Sequence, residues 1–335
     1  MTFCGTDGEI ELSIGKVTGI LLAMGYALAF NKAQDSDEVE KLTWTSAVLE
    51  ILHHEHAIRV SLKQEILDDL KEMLEEIGKH NLIAIDTLRS LAGKATCVSS
   101  LLHVWRPFVA MLWAPIFDSR AHCAHAPGQV WRTAVQIPLD WLMAFLKGVT
   151  GTLVRTYTLA SYLGEGDNLS VRTDASPVGL GAFLVANGVI KEYAFDYVTQ
   201  DDEERLGIAT HGSSEGQQVV EALAVLAALR LWKPWWTNRR VNLEVRSDSV
   251  SALIMLIKLK TSGVGTSLIA RELALDIGDS LYEPNVAAHV PGVANLIADH
   301  LSRVTERSGT PMPRELRRAT RVRFQRRDHS WWRTV

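Results

Sequence analysis

From residue 169 to residue 248 the chain sets down extended and helical stretches in one order, and that order limits the folds open to it. Residues 169–174, 181–186 and 189–197 are apolar or β-branched runs bounded by turn residues. Pro177 and Gly179 turn the first run back into the second, and Asn187 with Gly188 closes a two-residue hairpin before the third. A three-stranded meander is expected. The stretch "SSEGQQVVEALAVLAALRLW" is rich in Ala and Leu and reads as a helix with Ser213 or Ser214 as N-cap, and "VNLEVRSDS" is a further strand closing on Asp248. Helices from about residue 250 and about residue 266, a short strand in "NVAAHVPG" and a last helix through "NLIADHLSR" complete the order βββαβααβα. This is the grammar of a mixed α/β sheet with flanking helices.

Two of those strands end on aspartate. An ionised carboxylate at the end of an apolar strand is costly to bury unless a cation or a donor meets it. Glu221 lies on the helix between the two strands and Asp299 on the last helix, so if the strands are neighbours, Asp174, Glu221, Asp248 and Asp299 converge at one sheet edge. Four such carboxylates repel one another unless hard cations sit between them. Magnesium suits oxygen ligands, with manganese as an alternative, and two ions about 4 Å apart activate a water and stabilise the leaving 3′ oxygen in phosphodiester cleavage. Glu215, six residues before Glu221, faces elsewhere on the helix and reads as a first-turn dipole residue. Asp276 and Asp279 read as solvated positions on an ordinary amphipathic helix.

These segments are similar to a known family. "TDASPVGLGA", "VEALAVLAALRLW", "VRSDS" and "HVPGVANLIADHLSR" resemble, in order, the signature blocks of the ribonuclease H domain of retroelement polyproteins, over roughly residues 163–304. The resemblance implies a ribonuclease H-like mixed sheet with flanking helices and a magnesium-dependent endonuclease that cuts the RNA strand of RNA–DNA hybrids. It implies that Asp174 bridges both metal ions, that Glu221 and Asp248 hold the second, and that Asp299 holds the first. Some relatives carry a histidine just after the Pro-Gly turn, where Val293 and Ala294 stand here; the match is nearer to retrotransposon versions, in which Asn295 caps or anchors the last helix. Integrase and exonuclease relatives fit less well, since Glu221 precedes Asp248 and Asp174 lacks a D-x-E context.

Upstream, "LLAMGYALAFNKAQ", "LTWTSAVLEI", "SLKQEILDDLKEMLEEI" and "LRSLAGKATCVSSLLHVWRPFVAMLW" resemble the late palm, primer grip and thumb of retroelement reverse transcriptases, with Lys32 similar to a late-palm lysine. The expected organisation is therefore a late-palm remnant over 1–60, a helical thumb-like module over 61–117, a connection over 118–165, the ribonuclease H-like domain over 166–305 and a basic tail over 306–335. No Y-x-D-D or F-x-D-D block precedes Gly25, so polymerisation is not expected, and the chain reads as the downstream fragment of a polymerase that an upstream segment or subunit completes. Two other readings stand beside the nuclease: a non-catalytic nucleic-acid-binding remnant, and a decayed relict.

In the helical module, Ser61 and Gln64 occupy capping-box positions before an amphipathic run that stops at Gly78, Asp86 caps a second helix, Pro107 opens a third, and 131–146 reads as one more. The chain has 335 residues, 47% hydrophobic and 22% charged, enough for at least one sizeable core. Its longest apolar runs fall short of the roughly 20 residues of a membrane span, and Cys4, Cys97 and Cys123 form no disulfide or metal pattern, so an intracellular compartment, cytoplasmic or nuclear, is expected. The net charge of −4 hides a basic end, "RELRRATRVRFQRR", whose Arg317, Arg318 and Arg321 fit either phosphate contact or a solvated tail. Trp235, Trp236, Arg239 and Arg240 fit either a strand-gripping cluster or a domain interface. "HHEH" and "HCAH" lack the helical spacing and second ligand pair of a zinc site.

Overall fold

The computed structural model describes residues 41–334 apart from 45, 209–215, 262, 280–283, 285 and 305–310, together with residues 8, 9, 12, 16, 17 and 23. Lys32, Ser213, Ser214 and Glu215 lie outside the described residues.

The first part combines a small sheet with packed helices. Strands β1 (Lys41–Trp44), β2 (Ala47–Leu52) and β3 (Ala57–Leu62) form an antiparallel meander, and β6 (Val154–Thr158) adds to β3. Residues 154–158, expected as part of a connection, thus pair with the strand at residues 57–61. Between them run α1 (Gln64–Gly78), β4 (Leu82–Ala84), α2 (Ile85–Leu101), α3 (Arg106–Phe117), β5 (Gln129–Trp131) and α4 (Gln136–Leu146). Their apolar faces meet around Leu88, Leu91, Trp105, Phe108, Leu112 and Phe145, with the Trp105 and Phe145 rings stacked 5.8 Å apart. Two caps differ from expectation. Ser61 is part of β3, so α1 begins after Lys63 with no side-chain cap, and α2 begins after Ala84, leaving Asp86 in its first turn paired with Arg89 at 2.6 Å.

A short helix α5 (Leu159–Tyr162) leads into the larger sheet. Strands β7 (Asp167–Ser176), β8 (Gly179–Ala186) and β9 (Val189–Tyr197) form the expected antiparallel meander, with Asn187 and Gly188 at φ 48° and 80° in the hairpin turn. After α6 (Gln200–Leu206) and α7 (Gln217–Trp232), β10 (Val241–Ser247) pairs parallel to β7. Then come α8 (Val250–Lys258), α9 (Val264–Gly278), β11 (Val286–His289), parallel to β10, and α10 (Leu296–Ser302). The sheet order is β11-β10-β7-β8-β9-β12, where β12 is Thr320–Arg321. Helix α7 carries apolar residues on most of its circumference because its middle is enclosed; Val220, Leu223, Ala224, Leu226 and Ala227 are all core residues, and α7 packs against β7, β8, α8 and α9. Its cap is Gly216, at φ 82°.

Sequence reading missed α6, although its signal was present. Thr199 and Asp202 make a reciprocal capping box, and Gly207 ends the helix in the left-handed region. The basic tail also differs from expectation, because residues 311–334 form an ordered strap. Thr320 and Arg321 pair parallel to β9, and Leu316, Phe324 and Trp332 are buried. Arg327 is buried too, with its guanidinium on Asp202, Asp196 and the carbonyl of Tyr197. Arg333 reaches Asp276 and Asp279, and Arg230 joins Glu272 and Asp276 at 2.7 Å each. Asp276 is therefore not the solvated residue its helix suggested: it is 1% exposed and neutralised by two guanidiniums. Asp279 is exposed, as expected, and accepts from Gly151 N and Arg333. Residue type explains this, since buried arginines need carboxylates to offset their desolvation.

Candidate active site

Strand register brings the two aspartates level. Arg246 stands opposite Arg172 on parallel strands, so Asp248, two residues past Arg246, emerges beside Asp174 at the same end of the sheet. Glu221, in the second turn of α7, reaches the same point, and one oxygen each from Asp174, Glu221 and Asp248 lies within 4.8 Å of the others. Among the described residues this is the group of acids, histidines or cysteines with metal-ligand spacing. Asp299 lines the same cavity of about 390 Å³, with Gln217, Pro177 and Arg303, but stands outside that tight trio, paired through Oδ1 with Arg303 Nε at 2.6 Å.

A glycine makes this convergence possible. Gly181 lies opposite Asp174 in the β7–β8 ladder, and α10 crosses directly over it. A Cβ at Gly181 would fall 2.6 Å from the carbonyl oxygen of Ala298 and would collide with the amide of Ser302, so only glycine admits the helix. The close approach lets Ser302 Oγ donate to Asp174 Oδ2 at 2.6 Å, and Asn295, buried at the start of α10, donates through Nδ2 to the carbonyl of Thr173 at 3.0 Å. Asn295 thus anchors the last helix to β7, as its place in the motif implied.

The electrostatics of the trio are those of an unmet anion. Burial, followed by the charge of Asp174, pushes the Glu221 carboxyl up to about 9, against the pull of a hydrogen bond from Gln217. Asp174 is pushed up to about 7, again chiefly by burial, with Asp248 and Asp299 adding repulsion and Ser302 opposing it. Gln217 Nε2 donates both to the Ala175 carbonyl at 2.6 Å and to Glu221 Oε1 at 2.9 Å, which fixes the glutamate. Glu221 Oε2 and Asp248 Oδ1 are buried with no hydrogen-bond partner. Buried oxygens of this kind normally have one. An all-oxygen donor set with orphaned carboxylate oxygens fits a hard divalent cation such as magnesium. Gln217, Ser302 and Arg303 were not singled out from sequence; each sits three or four helical positions from an acid that was, the spacing at which helical side chains meet.

No family model matches the chain, and no curated protein matches it. Among solved structures it is similar to RNase H1 from the halophilic archaeon Halobacterium salinarum NRC-1, at 18% identity over 42% of this chain and 96% of that one, with a TM-score of 0.30. It is also similar to the foamy viral protease-reverse transcriptase: at 17% identity over 87% of this chain for a complex with double-stranded DNA (TM-score 0.32), and at 16% over 93% for a complex with an RNA/DNA hybrid (TM-score 0.30). The likeness is to a ribonuclease H and to a reverse transcriptase. The chain spans 44% and 37% of those two reverse transcriptase chains.

The remaining candidate residues fall in two places. Trp235, Trp236, Arg239 and Arg240 lie at the far edge of the sheet, where Val241 is level with Asp167, seven residues or about 23 Å of strand from Asp174. There Trp236 is buried, Trp232 and Trp235 donate to Glu192, and Arg239 lies over Trp235 with its carboxylate partner Asp167 at 3.5 Å. Arg240 Nη1 lies 3.4 Å from Thr158 Oγ1. The buried indole of Trp236 offers no face to a base, whereas Trp235 is half-buried and Arg239 and Arg240 are exposed. Arg317, Arg318 and Arg321 are exposed on the strap, Arg321 over the Phe195 ring at 4.0 Å. The strap strand β12 pairs with β9, which places β12 three strand spacings or about 14 Å from β7.

Proposed function

We propose that this chain is a divalent-metal-dependent endonuclease that cleaves the RNA strand of RNA–DNA hybrids, derived from a retroelement reverse transcriptase polyprotein. The observation that carries the reading is the acidic trio at the paired ends of β7 and β10, with two orphaned oxygens and with Asp299 on the same cavity. Asp174, Glu221, Asp248 and Asp299 would hold two magnesium or manganese ions. When bound, the ions supply neutralising charge and Lewis acidity for hydrolysis of a phosphodiester. The chain's own residues do the positioning. Gln217 holds Glu221 in one rotamer and Ser302 holds Asp174, so the carboxylates meet the ions with little rearrangement.

Substrate binding is assigned to the strap, whose exposed Arg317, Arg318 and Arg321 lie within reach of a duplex seated on the acids. Contacts of this type read phosphate positions and the shape of an A-form-like minor groove, so base preference should be weak. An upstream polymerase segment would supply further duplex contacts. Among the described residues no helix is long and apolar enough to cross a membrane.

The test is incubation of the purified chain with an end-labelled hybrid in magnesium, beside Asp248→Asn. The reading expects cleavage by the wild type, abolished by chelator and by the substitution. Equal binding without cutting by either protein would favour a non-catalytic binder.

A further inference from the structure

Arg303 stands apart among the residues that line the acidic cavity. Of the eight described residues there, four are carboxylates and Arg303 is the one cation. It caps the C-terminal end of α10, its amide bonding the His300 carbonyl, and its guanidinium holds Asp299 at 2.6 Å, four residues back on the same helix. Both side chains are about one-third exposed, at 34% and 38%, so the pair is neither locked in the core nor fully in solvent. The trio below it is packed around buried oxygens, whereas Asp299 already has a positive partner. Arg303 occupies Asp299 Oδ1, so a divalent ion bridging Asp299 to the trio through Oδ2 comes within a few ångström of the guanidinium, and cation–cation repulsion at that separation favours release of the arginine.

Building on the nuclease reading, we propose that Arg303 is a resident counter-ion for Asp299 that is exchanged for a divalent metal ion, and that the released guanidinium binds a phosphate oxygen of the substrate strand. The geometry favours the second part, since a planar guanidinium presents paired donors to phosphate and the side chain is anchored at a cavity rim that the scissile strand must cross. The device places positive charge at the site before metal arrives and moves it to the substrate afterwards. Arg303 is a positioning residue toward the metal and a contact residue toward the nucleic acid.

The two parts have separate readouts. Calorimetric titration of the full chain with magnesium, without nucleic acid, should show Arg303→Gln binding the ion about tenfold more tightly than wild type, because a competing unit charge is gone. In the Asp299→Asn background the same substitution should change affinity by less than about threefold, showing that the effect runs through Asp299. Hydrolysis of a hybrid by Arg303→Gln should show the loss falling mainly on KM, with Arg303→Lys recovering part of it. A purely structural helix-cap role predicts lower stability with unchanged magnesium affinity, and that result overturns the proposal, as does an undiminished effect in the Asp299→Asn background. If wild type binds magnesium and cuts the hybrid while Arg303→Gln matches it in both, the Arg303 assignment alone fails. If wild type does neither, the nuclease reading fails and the assignment falls with it.

Discussion

Replacing Asp174 by Asn isolates the cost of crowding carboxylates without metal. Asp174 is raised from an ordinary 3.8 to about 7 and Glu221 from 4.5 to about 9, so in the metal-free chain the folded state holds protons more tightly than the unfolded state. The stabilisation this gives is complete at pH values below the unfolded pKa and is lost as pH rises through the folded one. For Asp174 alone, moving from about pH 5 to about pH 7.5 should cost on the order of 2–3 kcal/mol of folding stability. Glu221 adds a loss of the same sign, and because the two titrate against each other the pair loses less than the sum. Asp174→Asn removes the first titration while its amide oxygen still accepts from Ser302, and it lightens the charge facing Glu221. The assay is urea unfolding in chelator at the two pH values. Wild type should lose more stability than the variant as pH rises, by on the order of 2 kcal/mol. Adding magnesium at roughly 100 times its Kd should return about 2.7 kcal/mol to wild type near pH 7.5 and little to the variant. A wild type as stable at the higher pH as at the lower, or a variant equally stabilised by magnesium, would refute the reasoning.

Other expectations follow from single interactions. Gly181→Ala should push α10 off β8, costing about 1–3 kcal/mol by denaturant titration and weakening magnesium binding, because Asp299 and Ser302 move with the helix. Unchanged stability would mean that the helix has room the geometry denies. Arg327→Met should cost about 3–5 kcal/mol, since it leaves Asp202 buried and unpaired, and the double variant with Asp202→Asn should recover most of that loss. Deleting residues 311–335 should lower stability outright, since it exposes the surfaces under Leu316, Phe324 and Trp332; a deletion that alters hybrid affinity alone would contradict the ordered strap. Changing Arg317, Arg318 and Arg321 together to Gln should leave folding intact and reduce the salt dependence of hybrid binding by about 0.9 for each phosphate that an arginine no longer neutralises. An unchanged slope removes the strap from the interface.

The larger sheet was legible because its signals are local. The Asn187–Gly188 hairpin, the strand that carries Asp174 two residues before its end, the strand that leads into Asp248 and the turns at Pro177 and Pro291 need no tertiary information. Three of the four acids converge tightly as expected, and the fourth lines their cavity. The pairing of Asp299 with Arg303 was not legible, although both belong to the same motif block, because a sequence shows the spacing of a pair without showing what it binds. The strap was illegible for a different reason. "RELRRATRVRFQRR" has the composition of a solvated basic tail, and its order depends on carboxylates far away in the chain: Arg327 meets Asp196 and Asp202 across 131 and 125 residues, and Arg333 meets Asp276 across 57. Buried ion pairs between distant segments leave no periodicity. Trp236 misled in the same way, because an indole beside arginines has the same composition whether it stacks on a base or on the core.

The central claim is that Asp174, Glu221, Asp248 and Asp299 form one nest for divalent ions. Crystals grown with manganese and measured at its absorption edge address it directly. The account expects two anomalous peaks between these carboxylates, both absent in Asp248→Asn or reduced to one; wild-type crystals with manganese elsewhere and none among the four acids would contradict it.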